Sequence, residues 1–390
     1  MAVRSVKSVA YEIPLHRTPF EPGDADAIAS ALTRGLLTGD GPGTADLAAA
    51  ARRTLGCRWA FATPSGTHAL ELMMRALPME PGDEVICPSF TFVSAPNAII
   101  LAGGRPVFAD VELDTLNLDP REAASRITPR TRAVLTGHYA GIGFGLDELE
   151  ALASARGIAF LEDAAHALGG RFNGRPLGTL GRAGAFSFHG TKNVVAGEGG
   201  MMVTDDPALA ARAEIIREKG TDRSRFIRDE VDRYTWQEVG SSYLMSDLLA
   251  VLVAAQWRRL DTITAARGER FAAYQQAFAP LVEAGVVKAP GVPAACAPAY
   301  HIYYLLADTA ERRNALASFL RQRGIEVSSH YVPLHLSPFA QRTLKTRAGM
   351  FPITEQVSER LVRLPLYPGL TPDEQQSVID AVFTFFGRRS

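Results

Sequence analysis

Several things are scarce in this chain, and each scarcity narrows what it can be. It has three cysteines in 390 residues: Cys57, Cys87 and Cys296. An odd count without metal-ligand spacing argues against a disulfide framework or a zinc module. It predicts reduced thiols in a cytoplasmic protein. Cys87, inside an apolar run, reads as packing. No run approaches the ~18–20 apolar residues of a membrane span, and the opening MAVRSVKSVAYEIP lacks the apolar stretch of a signal peptide. No membrane partner is expected. Excess charge is missing too: 41 basic and 42 acidic side chains leave a net charge of −1. Without a long basic run, nucleic acid is not an expected partner. An anionic substrate then has to be met by local donors, not by a global field.

What remains is an ordinary globular composition, 47% hydrophobic and 21% charged, in a chain long enough for two or three domains. From residue 59 to about 204, short apolar runs alternate with helical patterns. Strands are predicted over 59–63, 84–87, 106–109, 133–136, 158–161, 185–188 and 201–204. Helices are predicted over 68–77, 94–101, 146–156 and 207–218. Strand–helix alternation with runs apolar on both faces predicts an α/β fold, a mostly parallel sheet sandwiched by helices. Ligands in such sheets bind beyond the carboxyl ends of the strands. Residues 243–278 read as helical, with Ser246 and Asp247 able to cap the start. A Pro/Ala-rich stretch, 289–298, reads as a linker. A smaller α+β portion follows, with strands near 301–307 and 325–328 and helices near 312–323 and 372–386. The expected division is a large domain over 13–250 and a C-terminal small domain with connecting helices over 251–390.

The chemistry sits around Lys192. Asp163 ends the run 158–161, and Lys192 lies just past the run 185–188, a strand-and-connection length later. An acid and a lysine at the carboxyl ends of neighbouring buried strands are what pyridoxal phosphate (PLP) needs. The lysine offers an amine for a Schiff base. The carboxylate pairs with the ring nitrogen and keeps it protonated, raising its pKa by roughly 1–3 units. Ser65, Gly66 and Thr67 fall at a helix N-terminus, where free N–H groups and the helix dipole attract an anion such as a phosphate. Phe92, in the run PSFTFVS, could lie flat on the cofactor ring.

Each piece has an ordinary reading as well. Lys192 could be a surface residue, Asp163 a helix cap, Ser65–Gly66–Thr67 a plain helix start, Phe92 core, and the GEGG of 197–200 a turn. Their joint occurrence in this order favours PLP. The glycine-rich loop 35–43 has no following Lys-Ser/Thr and is a weak phosphate signal. Residues 329–338, broken by two prolines, read as an irregular loop. Its His330 and His335 do not share a helix face, and no acid or cysteine completes a metal site, so no metal is expected.

On these motifs (SGT, PSFTFVS, EDAAH, SFHGTKN, GEGGM and HYVPLH) the chain resembles the DegT/StrS family of PLP-dependent sugar aminotransferases. That family is a branch of the aspartate aminotransferase fold, PLP fold type I, and the resemblance runs from about residue 13 to 386. It implies that Lys192 is the Schiff-base lysine and proton shuttle, and that Asp163 is the ring-nitrogen partner. His166 would contact the ring's phenolic oxygen, Ser187 would join Gly66 and Thr67 at the phosphate, and Phe92 would stack. The loop holding His330, Tyr331 and His335 would come over the active site and meet substrate, and the loop 35–43 matches a substrate-facing one. A branch that dehydrates sugars has histidine in place of the lysine; Lys192 argues against it.

The runs EIIREKGTDRS (214–224) and YTWQEVGSSYLMSDL (234–248) are similar to the branch that aminates dTDP-4-keto-6-deoxyglucose at C4, giving dTDP-4-amino-4,6-dideoxygalactose. Glutamate would be the amino donor and a homodimer the assembly. Where many relatives have Gly-Tyr-Asn, this chain has Gly240, Ser241 and Ser242, so the cross-subunit phosphate contact is unassigned. Three alternatives stay open at this point. They are a C3-aminotransferase on a 3-keto-6-deoxy nucleotide sugar, a PLP-dependent sugar dehydratase and a non-catalytic PLP-binding protein.

Overall fold

The structure, a computed structural model, describes residues 11–35 and 37–387. Residues 1–10 of the opening stretch, Leu36 of the glycine-rich loop and the last three residues of the C-terminal portion lie outside the described part.

In chain order the strands are β1 (Trp59–Thr63), β2 (Glu84–Pro88), β3 (Arg105–Ala109), β4 (Thr131–Gly137) and β5 (Ala159–Asp163). Two short strands follow, β6 (Arg171–Phe172) and β7 (Arg175–Pro176), then β8 (Ala183–Ser187) and β9 (Gly200–Thr204). The C-terminal part adds β10 (Val287–Lys288), β11 (Cys296–Ala297), β12 (Tyr303–Ala307) and β13 (Leu361–Leu364). Seven of them form one sheet in the order β1-β9-β8-β5-β4-β2-β3. Its pairs from β3 through β8 are parallel, and β9 alone runs against its neighbours. The sheet is therefore mostly parallel, as the alternating pattern predicts. Every one of the seven strands coincides with a predicted run to within two residues at each end.

Period-2 alternation explains why these runs are apolar throughout. Ile86, Val134, Phe160 and Phe186 point to one face, into the core shared with the helices Pro42–Leu55 and Leu146–Arg156. Val85, Leu135, Leu161 and Ala185 point to the other, against the helices Gly66–Ala76 and Pro207–Arg217. A third core joins Phe271, Tyr274 and Phe278 to Tyr303, Leu305, Val362 and the C-terminal helix Pro372–Phe385. It is built on the sheet β10-β12-β13.

Some expectations need correction. The run 243–278 is two helices, Asp247–Trp257 and Leu260–Glu283, separated at Arg258 and Arg259. Ser246 precedes the first without a side-chain cap, its hydroxyl donating to the Leu37 carbonyl instead. The Asp247 carboxylate caps a different helix: it accepts from the N–H groups of Gly43 and Thr44 and from the Thr44 hydroxyl. Residues 325–328 make single bridges, Ile13 to Ile325 and Ser328 to Arg363, and no ladder. The stretch 289–298 is no mere linker, because β11 at its end pairs with β6. The helices Pro22–Thr33 and Pro42–Leu55 were not read from the sequence, though each opens on a proline in the first turn. Among the described residues no helix is long and apolar enough to cross a membrane.

Candidate active site

The strand ends converge on one cavity of about 950 Å³. Asp163 is the last residue of β5 and Ser187 the last of β8, while Ser65, Gly66 and Thr67 follow β1. Because β1, β5 and β8 run the same way, all three groups emerge at the carboxyl edge of the sheet. Lys192 lies in the turn after β8, where its N–H donates to the His189 carbonyl at 2.8 Å. All these residues line the cavity, together with Phe92, His166, His330 and Tyr331.

Non-local bonds hold the lysine turn in place. The buried Asn193 amide donates to the Ala299 carbonyl at 2.7 Å, and its oxygen lies 3.0 Å from Nδ1 of His301. Gln256 bonds both the N–H and the C=O of Val195. The connection from β5 to β8 is fixed by Glu162, which is fully buried. It accepts from the N–H groups of Gly178, Leu180 and Gly181 and contacts Nε2 of His138 at 2.8 Å. That one carboxylate sets where β8 starts, and with it where Lys192 ends up.

Electrostatics in the cavity follow from burial. Desolvation lowers the Lys192 ammonium from 10.5 to about 8, with Asp163 opposing and Arg363 assisting. Burial raises the Asp163 carboxyl, while the Ala165 N–H, at 3.1 Å from Oδ1, Lys192 and His138 pull it down. Both shifts favour the neutral forms, so burial outweighs mutual attraction, as it does for charges held farther apart than a salt bridge. His166 is pushed well below the ordinary imidazole range by burial and then by Lys192.

The model of the DegT/DnrJ/EryC1/StrS aminotransferase family matches residues 21–383. This chain belongs to that family. The aminotransferase is also similar to solved structures. TlmJ of Streptoalloteichus hindustanus, itself an aminotransferase, is 32% identical with a TM-score of 0.86, over 97% of this chain and 98% of the other. DesV of S. venezuelae is 32% identical at a TM-score of 0.86, over 94% and 95%. Spr1654 of Streptococcus pneumoniae, a proposed sugar aminotransferase solved in its PLP form, is 25% identical at a TM-score of 0.88, over 96% and 98%. The enzyme is a transaminase and PLP is its cofactor.

The structure fits that cofactor. The helix Gly66–Ala76 presents first-turn N–H groups of Gly66 and Thr67 that have no intrahelical acceptor. Side chains are excluded from the seat: a Cβ on Gly66 would come within 2.7 Å of Ser187 Cβ, and one on Gly200 within 2.4 Å of the Ser65 carbonyl oxygen. The Ser65 hydroxyl caps the helix by accepting from the His68 N–H, and Thr67 Oγ1 meets Ser94 Oγ at 2.7 Å. An amine, a carboxylate and an anion seat thus surround one space. Phe92 lines the same space and is 58% exposed.

His335 does not belong to this set. Its side chain is fully buried, between the Ser89 hydroxyl at 2.7 Å and the Glu355 carboxylate at 2.9 Å. The expectation of a substrate-facing group there is corrected: the proline-broken loop turns inward at Leu334–Leu336, and His335 anchors it. Among the described residues, none of the glycine-rich loop 35–43 lines the cavity either. A Cβ on Gly39, Gly41 or Gly43 would collide with Leu244, Asp247 or Val251 at 2.5–2.7 Å, so close packing accounts for these glycines.

Sequence reasoning missed part of the wall. Arg363 of β13 reaches the cavity, and its Nη1 donates to Nε2 of His330 at 2.8 Å. The other ring nitrogen of His330 lies 3.3 Å from the Tyr139 hydroxyl. Burial, Arg363 and Lys192 drive His330 down to about 2, so the ring is neutral and accepts from the guanidinium. No local motif marks Arg363; only an arginine between apolar neighbours in a short strand hinted at it.

Proposed function

We propose that this aminotransferase moves an amino group from glutamate to C4 of a dTDP-linked 4-keto-6-deoxyhexose, in deoxyaminosugar synthesis. The observation that carries the transfer chemistry is the placement of Lys192, Asp163 and the Ser65–Gly66–Thr67 turn around one cavity. The sugar is supported by the runs 214–224 and 234–248, and by the likeness to Spr1654, a proposed sugar aminotransferase. A cavity of about 950 Å³ suits a ligand of nucleotide-sugar size.

In this reading Lys192 holds the cofactor covalently and Ser65, Gly66, Thr67 and Ser187 bind its phosphate. Asp163 holds a proton at the ring nitrogen, His166 contacts the phenolic oxygen and Phe92 covers the ring. Bound PLP supplies the electron sink that makes the donor's α-hydrogen acidic. As a free amine Lys192 would shuttle protons, from the donor's α-carbon to the cofactor in the first half of the cycle and from the cofactor to the sugar's carbon in the second. Its lowered pKa brings a useful fraction of free amine to neutral pH. His330 and Tyr331 face the sugar.

The enzyme works as a homodimer in the cytoplasm. Support for the dimer is the surface of residues 234–248, where Trp236 is 76% and Val239 70% exposed in a single subunit. Three buried free thiols suit a reducing compartment. Light scattering of an active, cofactor-loaded monomer would remove the dimer from this reading. The regiochemistry is tested by offering the 4-keto and the 3-keto sugar separately, each with glutamate, and analysing products by mass and NMR. Turnover of the 3-keto sugar alone would move amination to C3, and an amine-free dehydrated product would make the enzyme a dehydratase.

A further inference from the structure

Tyr139 has no part in the roles just given, yet it stands in the cavity wall with a hydrogen to offer. It opens the turn Tyr139–Gly141 that follows β4, and its N–H donates to the buried Asn117 side chain at 2.6 Å. The residue is buried, its ring edge-on to those of Phe90 and Tyr331 at centroid distances of 5.1 and 6.0 Å. Its hydroxyl lies 3.3 Å from Nδ1 of His330, and both residues line the cavity. The direction of that bond follows from Arg363. A guanidinium only donates, so Nε2 of His330, 2.8 Å from Nη1, must carry a lone pair. A neutral imidazole has a single N–H, which is then on Nδ1. His330 therefore donates to the Tyr139 oxygen, and the phenol's own hydrogen is left over. Among the described residues nothing accepts it, because the contact with His330 is the only hydrogen bond of this hydroxyl. Burial holds the phenol well above its ordinary pKa, so the hydrogen stays in place.

A buried O–H without an acceptor at a cavity wall calls for a ligand oxygen. In the reading above the cofactor's polar groups are met elsewhere: the phosphate by Ser65, Gly66 and Thr67, the ring nitrogen by Asp163 and the phenolic oxygen by His166. The amino donor brings carboxylates, which bond most strongly to cations. A hexose brings neutral oxygens, and its C–H faces suit the rings of His330 and Tyr331, stacked 4.2 Å apart. Position narrows the choice further. The Tyr139 ring centroid is 6.0 Å from that of His166, and His330 feels the charge of Lys192. This wall is therefore near the reacting end, where the aminated carbon and its immediate neighbours sit. In a 4-keto-6-deoxyhexose C5 has no hydroxyl, so C3 bears the only hydroxyl next to C4. We propose that Tyr139 donates a hydrogen bond to that C3 hydroxyl and makes the enzyme selective for sugars that carry it. Arg363 acts through His330 as a positioning residue, because it fixes the tautomer that leaves the Tyr139 hydrogen free.

The inference rests on the sugar half of the function proposed above, and that half can be isolated. PLP-loaded enzyme is aminated with glutamate, and the return of cofactor absorbance is followed on adding the keto sugar alone. Three sugars are compared: dTDP-4-keto-6-deoxyglucose and its 2-deoxy and 3-deoxy analogues. Tyr139→Phe keeps the ring and removes only the hydroxyl. It should raise the half-saturating concentration of the parent and of the 2-deoxy sugar roughly 3- to 10-fold, the worth of one neutral hydrogen bond. With the 3-deoxy sugar, variant and wild type should agree within about twofold. The wild type alone should bind the 3-deoxy sugar about 10-fold or more weaker than the parent, because the O–H is then left unpaired. The glutamate half-reaction, the cofactor spectrum and the melting temperature should stay close to wild type. An equal rise for all three sugars would mean that the hydroxyl serves the shape of the wall. A rise that vanishes only with the 2-deoxy sugar would place the bond away from the reacting carbon. A loss in the glutamate half, or a shifted spectrum, would assign the hydroxyl to the cofactor. Each of these three results overturns the proposal. If the wild type does not aminate the 4-keto sugar, the function proposed above fails by itself. Tyr139 is then tested on the keto sugar that does react, with analogues lacking each hydroxyl beside its aminated carbon.

Discussion

Two walls enclose the same cavity, and they are built differently. The carboxyl edge of the large sheet carries Lys192, Asp163, Ser187 and the Ser65–Gly66–Thr67 turn, each at a strand end or in the turn that follows. The opposite wall carries His330, Tyr331 and Arg363, from an irregular loop and from a strand of another sheet. On the first wall the chain's local pattern places the group, because a buried strand that ends at a sheet edge delivers its last residue there. On the second, placement depends on β13 pairing with β12 and on Ser328 meeting Arg363. The first wall offers charges that change protonation; the second offers a fixed cation and neutral acceptors.

The contrast breaks first at Lys192. Replacing it with alanine should end covalent cofactor attachment and lower turnover by roughly 10²–10⁴-fold, the usual worth of a positioned acid–base group. Borohydride reduction followed by peptide mapping should find no labelled lysine in the variant. A label on another lysine would show that the edge of the sheet does not carry the chemistry.

Asp163→Asn comes next. An amide cannot hold a proton on the ring nitrogen, so PLP should still bind while turnover falls by orders of magnitude. Loss of one partner of a buried ion pair costs ~3–5 kcal/mol, and 1.4 kcal/mol is tenfold in rate. Turnover near wild type would remove Asp163 from its role.

A third test uses pH. In cofactor-free enzyme, reaction of Lys192 with an amine reagent should rise with pH and reach half its maximum near 8, not 10.5. The folded pKa is the lower one, so between these values the unfolded chain binds the extra proton. Stability from this residue therefore rises with pH across that window and is absent below about 8. Urea melts of wild type and Lys192→Met should diverge there, and parallel curves would mean that the amine is not desolvated.

The smallest effect sharpens the boundary of the second wall. His335→Ala should lower stability by about 1–3 kcal/mol, as expected for orphaning the buried Ser89 hydroxyl and the Glu355 carboxylate. The half-saturating sugar concentration should stay within about twofold. His330→Ala should raise that concentration, and should also lower the melting temperature because the buried Arg363 guanidinium loses its imidazole acceptor. An unstable His330 variant with normal saturation would exchange the two assignments.

The sequence alone determined the large sheet and the first wall. Apolar runs such as 59–63 and 158–161 are buried on both faces, so they name themselves, and the residues that end them inherit a position at the sheet's edge. The serine–glycine–threonine turn was legible for the same reason: a helix N-terminus is a local object. Tertiary structure alone decided what faces them. His330 and His335 sit five residues apart in one loop, with the same chemistry and no regular period, yet one meets Arg363 in the cavity and the other is buried between Ser89 and Glu355. The acidic Asp247, read as a cap for its own helix, caps another far away in the chain. Arg363 was invisible because it meets His330 in the cavity only once β13 has paired with β12 and Ser328, and no stretch of chain encodes that pairing locally.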